Sequence, residues 1–183
     1  MEILSQIENR RSAVAFAPKP IPESRVKLLV GAASLAPSAN NEQPWRFYVA
    51  SRANTAGFNL ILSCLAPANQ EWAQNASVLM VTSAVLKMSY NGAQNSYAMH
   101  DLGLATSNLL IQAQAMGLVS HAMGGFDHGQ IRKNLSIPDS QQLGTVIAVG
   151  LPGSLDSLNE KNRERQLSPR VRKSIDDILV ELR

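Results

Sequence analysis

Apolar residues recur along this chain at two spacings. Val26, Leu29, Val30 and Ala33 stand three and four apart, the stripe of an amphipathic helix. Pro22 suits the first turn of that helix, and Pro37 forces it to stop near Ala36. Ile3, Leu4 and Ile7 mark one face of a shorter helix within residues 2–8. Trp45, Phe47 and Val49 alternate with Arg46, Tyr48 and Ala50, as a strand requires. Phe58, Ile61, Leu62 and Leu65 predict another helix. The continuous apolar run at 78–81 predicts a buried strand. Residues 97–116 carry the longest helical pattern, which Gly117 ends. Two further strands are expected at 118–123 and 145–149, with a helix between them running from a cap at Asp127 to Asn134. The stretch 153–170 is polar and reads as an irregular tail. Ser174 and Asp177 resemble a capping box for a last helix carrying Ile175, Ile178, Leu179 and Leu182. Helices alternating with about four strands make an α+β or α/β fold.

Composition narrows this picture. With 183 residues, 45% hydrophobic and 17% charged, the chain can bury the core of one domain spanning 1–183. A single cysteine, Cys64, excludes a disulfide framework and Cys-rich metal sites, and it reads as a buried thiol. The net charge of +3 is too small to argue for nucleic acid. No apolar leader is visible, and the longest apolar runs, such as Leu109–Leu110–Ile111, fall far short of a membrane span. A cytoplasmic protein with no membrane partner is the expectation.

Charge is unevenly spread. Between Ala53 and Ile131 the charged residues are Glu71, Lys87, Asp101 and Asp127 alone. Either Asn, Gln and Ser cover that surface, or a second subunit does. Basic residues gather at the two ends: Arg10 and Arg11, then Lys161, Arg163, Arg165, Arg170, Arg172 and Lys173. Arginine suits bidentate recognition of phosphate, so the pattern is one of anion binding; each pair alone also reads as a solvated surface, and whether the two ends act together depends on the fold. No G-x-S-x-G, Walker or G-x-G-x-x-G motif occurs. His100, His121 and His128 have no metal-ligand spacing and read as structural or solvated, so no metal site is expected.

The order Arg10-Arg11-Ser12, Phe16, Pro20-Ile21-Pro22 and Ala36-Pro37-Ser38-Ala39-Asn40-Asn41-Glu42-Gln43-Pro44-Trp45 resembles the nitroreductase family of FMN-dependent oxidoreductases. The likeness continues through Asn75-Ala76-Ser77-Val78-Leu79, Asp101-Leu102-Gly103-Leu104-Ala105, Gly124-Gly125-Phe126-Asp127, Ile137-Pro138-Asp139 and Ala148-Val149-Gly150-Leu151-Pro152, nearly the whole chain. The resemblance implies an α+β fold with a central, mostly antiparallel sheet flanked by helices. It implies an intertwined homodimer with FMN at the subunit interface, and an arm at 153–183 wrapping the partner. It also implies two-electron transfer from NADH or NADPH to a small electrophile, such as a nitroaromatic or a quinone, by a ping-pong mechanism. The same fold serves other FMN reactions: dehydrogenase, dehalogenase or flavin-modifying. An anion- or nucleic-acid-binding module is the non-enzymatic alternative.

By the same resemblance Arg10, Arg11 and Ser12 hold the FMN phosphate and ribityl chain or the ring's pyrimidine edge. Pro37, Ser38, Ala39 and Asn41 approach that flavin from the other subunit, with Gln43 ordering their loop. Asn69 contacts the ring, and Gly124 and Gly125 lie against it. Arg170 and Arg172 match a basic-x-Arg phosphate clamp, although Arg163 and Arg165 offer the same spacing. Two positions depart from the pattern. Val14 and Trp72 stand where some members carry cations, which leaves the nicotinamide preference open.

Overall fold

The computed structural model describes residues 2–182. Its elements in order are α1 (Ser5–Asn9), α2 (Glu23–Ser34), β1 (Trp45–Ser51), α3 (Thr55–Leu62), α4 (Pro67–Ala73), β2 (Val78–Val85), α5 (Ala98–Ala115), β3 (Val119–Met123), α6 (His128–Asn134), β4 (Gln141–Gly150) and α7 (Glu160–Leu167). The strands form one antiparallel sheet in the order β1-β2-β4-β3. This is the expected α+β arrangement.

The unbroken apolar run of β2 has a direct cause. Leu79 and Val81 face one core, with Phe58, Ile61, Trp72 and Ile131 from α3, α4 and α6. Val78, Met80 and Ala84 face the other, with Val26, Leu29 and Ala33 of α2 and Leu102, Ala105, Leu109 and Ala113 of α5. A strand covered on both sides needs apolar residues at every position rather than at alternate ones. Three layers result, helices over sheet over helices. The outer ends of β2 and β4 are more polar than the expected segments 78–81 and 145–149, yet they pair. Thr82 donates its hydroxyl to the Thr145 carbonyl and accepts the Thr145 N–H, at 3.0 and 2.8 Å. Ser83 donates to Gln141 Oε1 at 2.6 Å. Satisfied polar groups let the ladder run on through a bulge near Thr82.

Three expectations need correction. The apolar stripe 58–65 is not one helix: α3 ends at Leu62, Leu65 bridges to Phe126, and α4 starts afresh. Pro67 in the first turn of α4 was the sequence signal for this break. The polar tail is not irregular throughout, because α7 lies within it, capped by Asn159 accepting from the Asn162 N–H. At the C-terminal end the Ser174–Asp177 box does form, with reciprocal hydrogen bonds of 2.7–3.2 Å, but only a single turn follows. A helix there has no apolar surface of its own chain to lie on, and Ile175, Ile178, Leu179 and Leu182 are exposed.

Other expectations hold. Asp127 caps α6 by accepting the Gln130 N–H, and Cys64 is buried. Gly117, at φ +68°, closes α5 in the left-handed region that an L side chain avoids.

Candidate functional site

The N-terminal segment and the tail meet beside β3. Ser12 pairs in parallel with Ser120, and the Ala13 N–H donates to the Ser120 carbonyl at 3.2 Å. From there residues 13–16 run buried into the core. The tail is fastened to the same stretch. Gln166 Oε1 of α7 accepts the Val14 N–H at 2.8 Å and the Ala15 N–H at 3.4 Å. Asn159 and Asn162 both donate to Glu71 of α4, at 2.9 and 3.0 Å. Farther on, Arg11 Nη2 donates to the Ser168 carbonyl at 3.0 Å, and Arg170 Nη1 donates to the Arg10 carbonyl at 3.1 Å. Gly153 is needed where the tail turns back, since a Cβ there would collide with the Phe16 carbonyl.

These contacts build one hollow lined by Arg10, Arg11, Ser12, Arg165, Ser168, Pro169, Arg170 and Arg172. Five arginines line it, and among the described residues none of them has a carboxylate within ion-pair distance. Partial burial, and then the charges of Arg172 and Arg170, hold the Arg10 guanidinium below its ordinary value. Cations packed together without counter-charge are arranged for an anion. The tail's two basic pairs are thereby separated. Arg170 and Arg172 face the hollow; of the other pair Arg165 does so, while Arg163 lies 3.5 Å from Asp156 on the surface.

A second group forms elsewhere. The loop after α2 passes through left-handed backbone at Asn40, Asn41 and Gln43. Two hydrogen bonds tie it together from within: the Gln43 N–H donates to Ser38 Oγ at 3.0 Å, and Gln43 Nε2 to Asn41 Oδ1 at 3.2 Å. Asp101, buried in the first turn of α5, accepts the Ala39 N–H at 3.0 Å. Asp101 thus fixes the loop. Pro37, Ser38 and Ala39 line a shallow apolar recess with Tyr97, His100, Asp101 and Leu104. Within one chain this recess shares no lining residue with the basic hollow.

Gly124 and Gly125 follow β3 directly. The Gly125 carbonyl accepts the Ala66 N–H at 2.9 Å and Asn69 Nδ2 at 3.2 Å, which spends the Asn69 amide on holding this turn. A Cβ on Gly125 would crowd Asn69, whereas Gly124 faces open space. Because Ser12 pairs with Ser120 and Gly124 follows Met123, the basic hollow and the glycine turn lie along one edge strand.

Sequence reasoning missed His121 and underrated Arg165. His121 lies under the hollow, with Nδ1 2.9 Å from the Ala13 carbonyl and Nε2 3.3 Å from Arg165 Nη2. Burial pushes its pKa down to about 4; the Ala13 hydrogen bond opposes this, and the charges of Arg165 and Arg10 add to it. Trp72 stacks on the His121 ring at 4.7 Å between centroids, and Phe16 on Trp72 at 5.9 Å. Trp72, one of the two departures from the family-like pattern, is a fully buried aromatic. Nothing local sets this histidine apart, since it follows another polar residue, Ser120, in β3.

Comparisons with known proteins agree with the fold. The model of the Nitroreductase family matches residues 7–151. A protein of Archaeoglobus fulgidus, provisionally named NADH dehydrogenase/NAD(P)H nitroreductase, is 31% identical over 166 residues, covering 82% of this chain and 86% of that one. A solved structure described as an oxidoreductase containing FMN is 31% identical, with a TM-score of 0.94 over 100% of this chain and 93% of the other. A nitroreductase family protein from Streptococcus pneumoniae, at 20% identity, shares the fold with a TM-score of 0.78, over 99% of this chain and 100% of that one. With the family model spanning most of its length, this chain belongs to the nitroreductase family.

Proposed function

We propose that this protein is an FMN-dependent oxidoreductase that moves two electrons from NADH or NADPH to a small electrophilic acceptor such as a nitroaromatic or a quinone. The observation that carries this reading is the hollow lined by Arg10, Arg11, Arg165, Arg170 and Arg172, cationic and, among the described residues, without a carboxylate partner. It fits a phosphate monoester, and the side-chain-free, open face at Gly124 fits a flat ring. The solved relative described as containing FMN supports the same cofactor.

In this reading Arg10, Arg11, Ser12, Arg170 and Arg172 hold the phosphate end, and Gly124 and Gly125 lie against the ring system with Asn69 bracing their turn. When bound, FMN supplies the two-electron chemistry. The protein's share is binding, orientation and charge: cations and N–H donors favour an electron-rich ligand. No side chain serves as an obligate acid or base. Donor and acceptor use one face in turn, which gives ping-pong kinetics and needs no dinucleotide fingerprint.

The site is completed in a homodimer of single-domain chains, working in the cytoplasm. The partner subunit's Pro37, Ser38, Ala39 and Asn41, with the loop order set by Gln43, reach the flavin at the interface. Two facts support this. The loop group stands apart from the basic hollow in one chain, and Ile175, Ile178, Leu179, Val180 and Leu182 of the 153–183 arm are exposed apolar side chains.

The test is flavin uptake. Purified protein is expected to be yellow or to take up added FMN stoichiometrically, and to be bleached anaerobically by NADH or NADPH. Arg10→Ala is expected to lose at least tenfold in FMN affinity, since it removes a charged hydrogen-bond donor. A folded wild-type chain that takes up no FMN would end this reading.

A further inference from the structure

We infer that His121 is a positioning residue for the ligand's phosphate: fixed as the neutral Nδ1–H imidazole by the Ala13 carbonyl, it offers Nε2 as an acceptor that turns Arg165 into the basic hollow. The inference rests on the FMN reading above.

Donor and acceptor chemistry decides the tautomer. A carbonyl oxygen can only accept, so at 2.9 Å from Ala13 the Nδ1 atom must carry the proton. A guanidinium can only donate, so at 3.3 Å from Arg165 Nη2 the Nε2 atom must present its lone pair. Both contacts are met together by one protonation state, the neutral one, which burial of the ring also favours. The ring cannot turn away. It is 6% exposed and stacked at 4.7 Å on Trp72, itself packed on Phe16, with both aromatics 1% exposed.

Arg165 stands otherwise on an exposed face of α7, where a long side chain samples many rotamers. One hydrogen bond to His121 selects among them, and four N–H groups remain for an anion. The nature of the acceptor matters. A carboxylate in the place of His121 would orient Arg165 and also cancel its charge. A neutral imidazole orients the guanidinium and leaves the charge whole. Among the described residues Arg165 has no ion-pair partner.

The experiment compares FMN and riboflavin binding to flavin-stripped, full-length protein by fluorescence quenching. The variants are His121→Phe, which keeps a ring on Trp72, His121→Gln, which keeps an acceptor, Arg165→Ala, and the His121→Phe/Arg165→Ala pair. The ¹⁵N resonances of the His121 ring are recorded in the wild type. Expected are a loss of about tenfold in FMN affinity for His121→Phe and for Arg165→Ala, and no further loss in the pair. Riboflavin affinity should stay unchanged, His121→Gln should recover most of the loss, and Nε2 should be unprotonated at neutral pH. Equal losses for FMN and riboflavin, additive losses in the pair, or an Nε2–H ring in the spectrum overturn the inference. A wild type that binds FMN beside a His121→Phe that binds it equally overturns this inference alone. A wild type that binds neither flavin overturns the cofactor reading and this one with it. Should His121→Phe fail to fold, the ring spectrum together with His121→Gln and Arg165→Ala decides.

Discussion

At the scale of the residue, His121 has a consequence for stability as well as for binding. Its pKa in the folded chain lies at about 4, against 6.5 for an unperturbed histidine. Between those values the unfolded chain holds a proton that the folded chain refuses. Stability is therefore complete above about pH 6.5 and declines as the pH falls toward 4, by an amount on the order of 3 kcal/mol. Arg165 and Arg10 are the charged groups acting on the ring. The urea midpoint of the wild type should thus fall more steeply between pH 6.5 and 4 than that of His121→Phe. Parallel slopes would refute the assignment. None of this was legible in the sequence, where His121 is a lone histidine in a strand. Its partners come from residues 13, 72 and 165, which only folding brings together.

At the scale of the element, α7 gathers the site. It sits in a segment that reads as loop because Glu160–Leu167 is almost wholly polar and has no apolar stripe to announce a helix. Polar contacts hold it instead: Asn159 and Asn162 on Glu71, and Gln166 on the buried backbone of Val14 and Ala15. Gln166→Ala leaves those N–H groups unmatched, and an unsatisfied buried donor costs about 1–3 kcal/mol. Chemical denaturation should show a loss of that size. FMN affinity should drop as well, because Arg165 lies on the same helix. A variant within 0.5 kcal/mol of wild type, roughly the spread of an ordinary surface substitution, would mean that α7 is held by something else. The glycine turn after β3 was more readable, since Gly124-Gly125 followed by a capping Asp127 is a local pattern.

At the scale of the whole molecule, the exposed apolar surface asks for a partner. Ile175, Ile178, Leu179 and Leu182 are 57–96% exposed, and Ile3, Leu4 and Ile7 near the other end are 45–69% exposed. Isolated apolar side chains on a surface are ordinary, but clusters at both ends of one chain are not. Sedimentation equilibrium should give twice the 19.8 kDa chain mass. Deleting residues 168–183 should shift the equilibrium toward monomer and release flavin. A full-length protein that stays folded and monomeric at micromolar concentration would contradict the dimer.

The sequence by itself determined what local physics controls. Periodicity and punctuation located α2, α5, α6 and the cores of all four strands, because the buried faces of those elements must be apolar at the spacing of their backbone. Family-like motifs carried the expectation of FMN and named Arg10–Ser12 and Gly124–Gly125. Only the tertiary structure decided which tail arginines join them, since Arg163 and Arg165 differ in no local property and are told apart by the direction each takes from α7. It alone placed a neutral histidine beneath the cations and a carboxylate, Asp101, behind the loop of Ala39. Hydrogen bonds between residues far apart in the chain leave no periodic trace along it, so their partners emerge only when the layers close.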